Sequence, residues 1–481
     1  MEFKIKQDLK KRVFITYFSE LDGRIDPSAY HFERQEVIAQ LEGTGKLFKL
    51  KNVVTNAKKI TSEILENDIY IGLENIKSDT GEYIPTTSKS SISSAGIFKK
   101  GQILFSKLRP YLNKVYLADF DGICSTEFHI FNSKTEFSNE FLAIYLRSDF
   151  IVKQTKHLMT GNTLPRLQTS DIDNLPIPKV SQSVQDEIVR LYDFKYGIKI
   201  EKEKKAKELL NSIDDYLLDE LGITLPLKSN TLSSRIFEIK YTELTGSRFD
   251  PGLYNNHTKA LKQAIEDSKF KSVPLKELII QSNAGDWGSE SVEDNERLKA
   301  CLVIRATEFD NDFNLKLDNS RVKYRSISRD KLKKINIQEQ DILIEKSGGS
   351  PYQPVGRVAI LRSDILRNNT ICYSNFIHKI TLNKSLINPE YAFAYLKTMH
   401  NIKLTQSMQS QTNGIRNLIM SNYFNQSIVL PIKTDGSIDM DKQNEIALKI
   451  SGMRAKAEKL QVGAIASVND AQKEIEKIIL V

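Results

Sequence analysis

Residues 12–30 read RVFITYFSELDGRIDPSAY, and residues 235–254 read RIFEIKYTELTGSRFDPGLY. Arg12-Val13-Phe14 falls on Arg235-Ile236-Phe237, and Ser19-Glu20-Leu21 falls on Thr242-Glu243-Leu244. After one inserted residue, Arg24, Asp26, Pro27 and Tyr30 fall on Arg248, Asp250, Pro251 and Tyr254. A period this long duplicates whole domains, because solenoid repeats run about 20–50 residues. A chain of two like modules can hold two like targets at a set distance.

The halves keep the same order of landmarks beyond these stretches. Short apolar runs bounded by turn residues read as strands at 68–73, 101–105, 114–118 and 127–131, and a helix opens near Ser138. Residues 160–178 read as loop, short helix and exit strand. In the second half, Asp341-Ile342-Leu343-Ile344 parallels Gln102-Ile103-Leu104-Phe105, and Pro389–Leu396 parallels Asn139–Leu146. Asn413-Gly414-Ile415-Arg416 aligns with Leu164-Pro165-Arg166, and Leu430-Pro431-Ile432 with Leu175-Pro176-Ile177. Each half closes with a long, charged, proline-free stretch, about 182–221 and about 441–480, containing Gln-x-Glu-Ile at 185–188 and 443–446. One apolar stripe runs through Ile188, Leu191, Ile198, Ala206, Leu210, Ile213 and Leu217, the other through Ala457, Leu460, Ala464, Val468, Ala471, Ile475 and Ile478. A helix of about 37 residues is roughly 55 Å long, more than one domain covers, so the stripes are expected to pack on each other as an antiparallel coiled coil. Each helix capping its own domain is the alternative. Gly197 and Gly463 each weaken their helix by about 1 kcal/mol relative to Ala and mark places where it could break.

The expected fold is therefore α+β: two similar α/β domains separated by two long antiparallel coiled-coil helices with pseudo-two-fold symmetry. The expected boundaries are 1–180 and 223–440 for the domains, and 181–222 and 441–481 for the helices. That arrangement puts the modules at the ends of a rod, with the helices as a ruler.

Composition bounds the function class. The chain has 481 residues, 27% of them charged, and a net charge of +8. A modest basic excess suits a polyanionic partner without requiring one. Cys124, Cys301 and Cys372 form no C-x-x-C pair, which leaves zinc ribbons and thioredoxin-like chemistry unsupported. Cys124 and Cys372 both follow Ile at matching points and read as small buried strand residues. No apolar run reaches the roughly 18 residues of a membrane helix, and the N-terminus has no signal-peptide core, so a cytoplasmic setting is expected. Leu41-Glu42-Gly43-Thr44-Gly45-Lys46-Leu47 lacks the first Gly and the hydroxyl of a P-loop and reads as a turn. No H-E-x-x-H or amino-methyltransferase motif is present; a nuclease site would want an acid followed two later by Lys on a buried strand, and Ile344-Glu345-Lys346 has the wrong spacing while Glu201-Lys202-Glu203-Lys204 reads as the charged face of a helix. With six His and no Cys pair, no metal site and no catalytic residue are expected.

Two loops in each half carry the residue types that meet nucleic acid. Residues 105–114 place Lys107, Arg109 and Lys114 beside Tyr111 and Asn113, and residues 345–357 offer Lys346, Gln353 and Arg357 around Gly348-Gly349. Cations neutralise phosphates, the Arg fork reads guanine, and Asn or Gln reads adenine. Residues 160–166 add Asn162 and Arg166, and residues 410–416 add Asn413 and Arg416, in segments suited to a phosphate. The repeated Arg-x-Asp-Pro-x-x-Tyr could look catalytic. A structural role fits better, with Asp before Pro shaping a turn that Arg and Tyr lock.

ILFSKLRPYLNKVYLADFDGICSTEF (103–128) and TLPRLQTSDIDNLPIP (163–178), followed by Gln185-Asp186-Glu187-Ile188 opening a long helix, resemble the specificity (S) subunit of type I restriction–modification systems. DILIEKSGG (341–349), LPI (430–432) and Gln443-Asn444-Glu445-Ile446 repeat the pattern more loosely. The resemblance spans nearly the whole chain. It implies two target recognition domains, each reading one part of a split double-stranded DNA sequence in the major groove. It implies that the paired helices set the unspecified spacer and dock two adenine methyltransferase subunits, with motor-nuclease subunits joining for restriction. S-adenosylmethionine, ATP and magnesium would then sit on those partners, and this chain would have no active site and no membrane partner. Two alternatives differ in class: a self-contained methyltransferase or nuclease with a cryptic site, and a structural adaptor in a related defence complex. Assay of the isolated chain separates the first, and selection from random DNA separates the second.

Overall fold

The computed structural model describes residues 13, 15–21, 24–57, 59–85, 92–229, 231–243, 254–317, 322–349, 353–412 and 415–481. Arg12, Phe14, Leu244, Arg248, Asp250, Pro251 and Asn413 lie outside the described residues. The chain divides into two compact units: one runs up to Lys204 and includes Leu460–Val481, and the other is Lys205–Lys459. The boundaries fall within the long helices rather than at their starts.

Each unit is built on a four-stranded antiparallel sheet with the same strand order. In the first unit it runs Val54–Asn56, Phe128–Ser133, Ile103–Ser106, Val115–Leu117; in the second, Ile279–Ala284, Ile377–Leu382, Ile342–Glu345, Val358–Ile360. Phe105 pairs with His129 and Ile344 with His378, so the registers correspond. Alternate side chains of a strand face opposite sides. Ile103 and Phe105 accordingly join a core with Phe141, Tyr145 and Ile188, while Leu104 joins one with Ile71, Phe98 and Cys124. Ile342 and Ile344 likewise pack with Tyr391 and Ile446, and Leu343 with Val303 and Cys372. Both faces are covered, which is why these strands are continuously apolar. Cys124 and Cys372 sit in equivalent parallel pairings, Ile71 with Cys124 and Val303 with Cys372, and burial pushes the Cys372 thiol up to about 12.

The long stretches form helices Gln182–Leu221 and Met440–Ile479, each unbroken over 40 residues. They run antiparallel within each unit. In the first, Lys195 Nζ meets Glu474 at 3.0 Å, and Lys202 Nζ donates to Gly463 O at 2.9 Å and Ser467 Oγ at 3.1 Å. In the second, Lys442 Nζ lies 2.9 Å from Glu220. Gly463 does not break its helix; a Cβ there would lie 3.3 Å from Lys202 Nζ, so Gly leaves room for the lysine. Gln185 and Gln443 are fully buried and do one job in both units. Their Oε1 atoms accept from Ser138 N and Asn388 N, each at 2.9 Å, and so join the start of a domain helix to the long helix. Ser138 and Asn388 are the N-caps of Asn139–Leu146 and Pro389–Asn401. Gln185→Leu strands Ser138 N and the Glu136 and Val180 carbonyls; at about 1–3 kcal/mol for an unmade buried bond, the first unit should lose about 2–4 kcal/mol on urea melting.

The first Arg-x-Asp-Pro-x-x-Tyr is structural, as its residue types suggest. Asp26 Oδ1 accepts from Ser28 N, Arg24 bridges Asp26, Asp171 and Leu158 O, and Tyr30 OH donates to Arg24 O. The P-loop-like residues 41–46 form the end of helix Phe32–Glu42 and the turn after it.

His400 gives the second unit a defined pH response. Burial lowers its pKa from the usual 6.5 to about 4, against a 3.0 Å hydrogen bond to Pro354 O. The unfolded chain takes up this proton below about pH 6.5 and the folded chain only near 4, so stability falls as pH falls through that window. The loss is on the order of 3 kcal/mol. Burial lowers His378 of the same unit to about 4 as well, so urea midpoints of the second unit should drop between pH 7 and pH 5, and His400→Met should remove only part of the drop.

Candidate nucleic-acid interface

In the first unit, strand Ile103–Ser106 leads into a tight turn, Pro110–Leu112, flanked by Arg109 and Asn113 with φ of 49° and 47°. This left-handed backbone aims the Arg109 and Tyr111 side chains outward, and both are exposed. The second candidate segment closes as a hairpin, with Thr160 and Arg166 exchanging backbone hydrogen bonds at 2.8 Å. The tip holds Asn162, exposed like its neighbours. The two segments lie side by side: Leu167 N donates to Lys107 O at 2.9 Å and Arg109 N to Pro165 O at 2.8 Å.

The second unit repeats the juxtaposition. Ser347–Gly348 pairs with Ile415–Leu418, which forms a hairpin with Gln409–Thr412. Leu418 N donates to Lys346 O at 2.7 Å, the same bond as Leu167 to Lys107. This register corrects the sequence alignment. Ser347 faces Asn417 as Leu108 faces Arg166, so Arg166 matches Asn417 and Arg416 matches Pro165. Ser410 pairs with Asn417 where Thr160 pairs with Arg166; the second hairpin is one residue longer, an insertion that similarity alone misplaced.

Asn113, Lys114 and Arg357 are corrected as well, because all three are committed inside the protein. Asn113 Nδ2 donates to Arg147 O at 2.9 Å and to Asp79 at 3.1 Å. Lys114 Nζ donates to Leu73 O at 2.6 Å and Ile76 O at 2.8 Å, and burial lowers its pKa. Arg357 donates to Ala306 O and Phe309 O, each at 2.9 Å, and forks onto Glu345 through Nε and NH2, each at 2.9 Å. Lys114 and Arg357 are equivalent: both cations hold the carbonyls of a one-turn helix, Leu73–Asn75 or Ala306–Glu308, whose last residue reaches back to cap its start. A buried carbonyl needs a donor, and these cations supply it from the start of the strand that follows the candidate loop.

Of the remaining candidates, Arg109, Tyr111 and Asn162 are exposed, and Lys107 and Lys346 are half-buried. Among the described residues no side-chain hydrogen bond or ion pair engages Lys107, Arg109 or Lys346. Gln353 and Arg416 are half-buried. Arg166 is held by Glu127, with Nε at 3.1 Å and NH2 at 3.1 Å, in a pair that is partly exposed. Glu127 was absent from the expected site, although it lies in the STEF stretch of the 103–128 motif. Its place in the second unit is taken by Phe376, whose carbonyl accepts from Lys346 N as Glu127 O accepts from Lys107 N. Glu127→Gln should loosen Arg166, raise affinity for random duplex and reduce discrimination at one position of the first half-site, read by competition binding.

Shared backbone bonds thus present different side chains in the two units: Arg109 against Gly348, and Arg166 with Glu127 against Asn417 with Ser347. Residues 36–211 match the family described as the type I restriction modification DNA specificity domain. Residues 36–211 therefore resemble a type I DNA specificity domain. The match runs from the helix Phe32–Glu42 to within the first long helix; the second unit repeats the strand order and the backbone bonds of the first. Over 192 residues the chain is 29% identical to the type I restriction enzyme EcoDI specificity subunit of Escherichia coli, covering 38% of this chain and 43% of that protein's length. It is similar to a structure from a study of assembly and conformational transition of the type I R-M system (17% identity, 90% of this chain, 96% of the other, TM-score 0.47). It is also similar to the HsdS subunit from Thermoanaerobacter tengcongensis (17%, 90%, 95%, TM-score 0.34). The resemblance drawn from the motifs stands. Among the described residues no helix is long and apolar enough to cross a membrane.

Proposed function

We propose that this chain is the non-catalytic DNA-recognition subunit of a type I restriction–modification complex, each unit reading one half of a bipartite target. The observation that carries this reading is the matched pair of bonds, Leu167 N to Lys107 O and Leu418 N to Lys346 O, which brings both candidate loops together in each unit. Repeated backbone with different side chains suits two readers of different sequences. Lys107, Arg109, Tyr111, Asn162 and Arg166 would meet the first half-site; Lys346, Gln353, Asn413 and Arg416 would meet the second. Lysines and arginines here supply phosphate neutralisation and groove contacts.

The long helices would set the spacer and dock two adenine methyltransferase subunits, with motor-nuclease subunits added for restriction. Phe194, Val462 and Ile465 are 66%, 62% and 61% exposed on the parts of the long helices that belong to the first unit, and apolar side chains left in water support a protein partner there. S-adenosylmethionine, ATP and magnesium would belong to those partners. Selection from random duplex by the assembled complex tests the reading. A split motif with a fixed gap is expected; enrichment of no motif would support the adaptor, and methylation by the isolated chain would support the enzyme.

A further inference from the structure

His31, Glu33 and His157 come together in the first unit although 124 residues separate Glu33 from His157. They are the group of three potential ligands found among the described residues, each half-buried, with one ligand atom from each within 4.8 Å of the others. His31 is the N-cap of helix Phe32–Glu42 and its Nδ1 accepts from Glu33 N at 3.3 Å, which fixes the ring. His157 comes from the last turn of helix Asp149–Leu158, its ring stacked on His31 at 4.0 Å and 14°. His157 Nε2 lies 2.8 Å from Glu33 Oε2, and Lys156 Nζ lies 2.6 Å from the same oxygen.

We propose that His31, Glu33 and His157 bind a divalent ion of the zinc class that staples the start of helix Phe32–Glu42 to the end of helix Asp149–Leu158. The donor set of two imidazoles and one carboxylate is that of open tetrahedral zinc sites, where water completes the shell. Donors at about 2.1 Å from a tetrahedral ion lie about 3.4 Å apart, so the group must close by little more than about 1 Å. Half-buried side chains allow that movement. Lys156 neutralises Glu33 when no ion is bound, and its ammonium competes for the same oxygen; metal binding releases it to solvent. The staple sits at the root of the Thr160–Arg166 hairpin, which begins two residues after Leu158, and Arg24 also fastens Leu158 O at 3.1 Å. The ion would stiffen that root.

The test uses the untagged full chain, stripped with chelator and titrated with cobalt(II) alone. One equivalent should produce the visible absorption of tetrahedral cobalt, which one equivalent of zinc removes. His157→Ala and Glu33→Gln should each weaken binding at least about tenfold, with far-UV circular dichroism confirming the fold. Lys156→Met should tighten cobalt binding, an effect that a purely structural ion-pair network does not produce. Absence of the absorption at equimolar cobalt, equal binding in the His31→Ala and His157→Ala chains and the parent, or weaker binding in Lys156→Met overturns the site. None of these results bears on DNA recognition, which is measured separately.

Discussion

Arg357→Met should cost the second unit about 3–5 kcal/mol, because removing one partner of a buried ion pair leaves the other charge uncompensated. Glu345 is 1% exposed and takes both of its close ionic contacts from Arg357. The Ala306 and Phe309 carbonyls lose donors at the same time. Replacing both charges, Glu345→Leu with Arg357→Met, should recover much of the loss, since no stranded carboxylate remains. Lys114→Met tests the equivalent position without a buried carboxylate and should cost only about 1–2 kcal/mol. Chemical denaturation of the full chain, followed by the fluorescence of Trp287 for the two second-unit variants and by far-UV circular dichroism for Lys114→Met in the first unit, should show Arg357→Met losing far more than both others. A DNA-reading role predicts the reverse: little change in stability and a direct loss of binding.

Lys107→Ala with Arg109→Ala should reduce affinity for the first half-site by about hundredfold, leaving the second half-site's sequence preference unchanged. Arg109 projects from a left-handed backbone beside the hairpin, where a planar fork can reach a base edge. A lost bidentate base contact costs about 1–3 kcal/mol and relaxes one position, whereas a lost phosphate contact weakens all sequences and lowers the salt slope by about one. The single variants separate these outcomes when titrated at several salt concentrations: Arg109→Ala should relax sequence, and Lys107→Ala should flatten the slope. The same affinity as the parent complex in both variants would remove this loop from the interface.

The duplication, several strand positions and the long helices were legible because each leaves a local or periodic trace. Ile103–Phe105 and Ile342–Ile344 announce strands covered on both faces, and Gln-x-Glu-Ile marks both helix starts. The fate of individual cations was not legible. Lys114 and Arg357 look like phosphate ligands because a lysine or arginine in a loop has one chemistry for a phosphate and for a main-chain carbonyl. Their partners lie 41 and 51 residues away, at Leu73 and Ala306. The extra residue in the second hairpin was hidden because Arg166 and Arg416 share a residue type but not a register. Glu127 carried no signal of its own, since an acid 39 residues from Arg166 declares no pairing in one sequence.

The central claim is that two homologous units each read half of one split site. Exchange of residues 22–180 for the corresponding domain of another specificity subunit, followed by mapping of methylated adenines in cells carrying the partner subunits, tests it most directly. The expected methylome changes one half of the motif and keeps the other half and the gap. A methylome identical to the parent's, or one altered in both halves, would contradict the account.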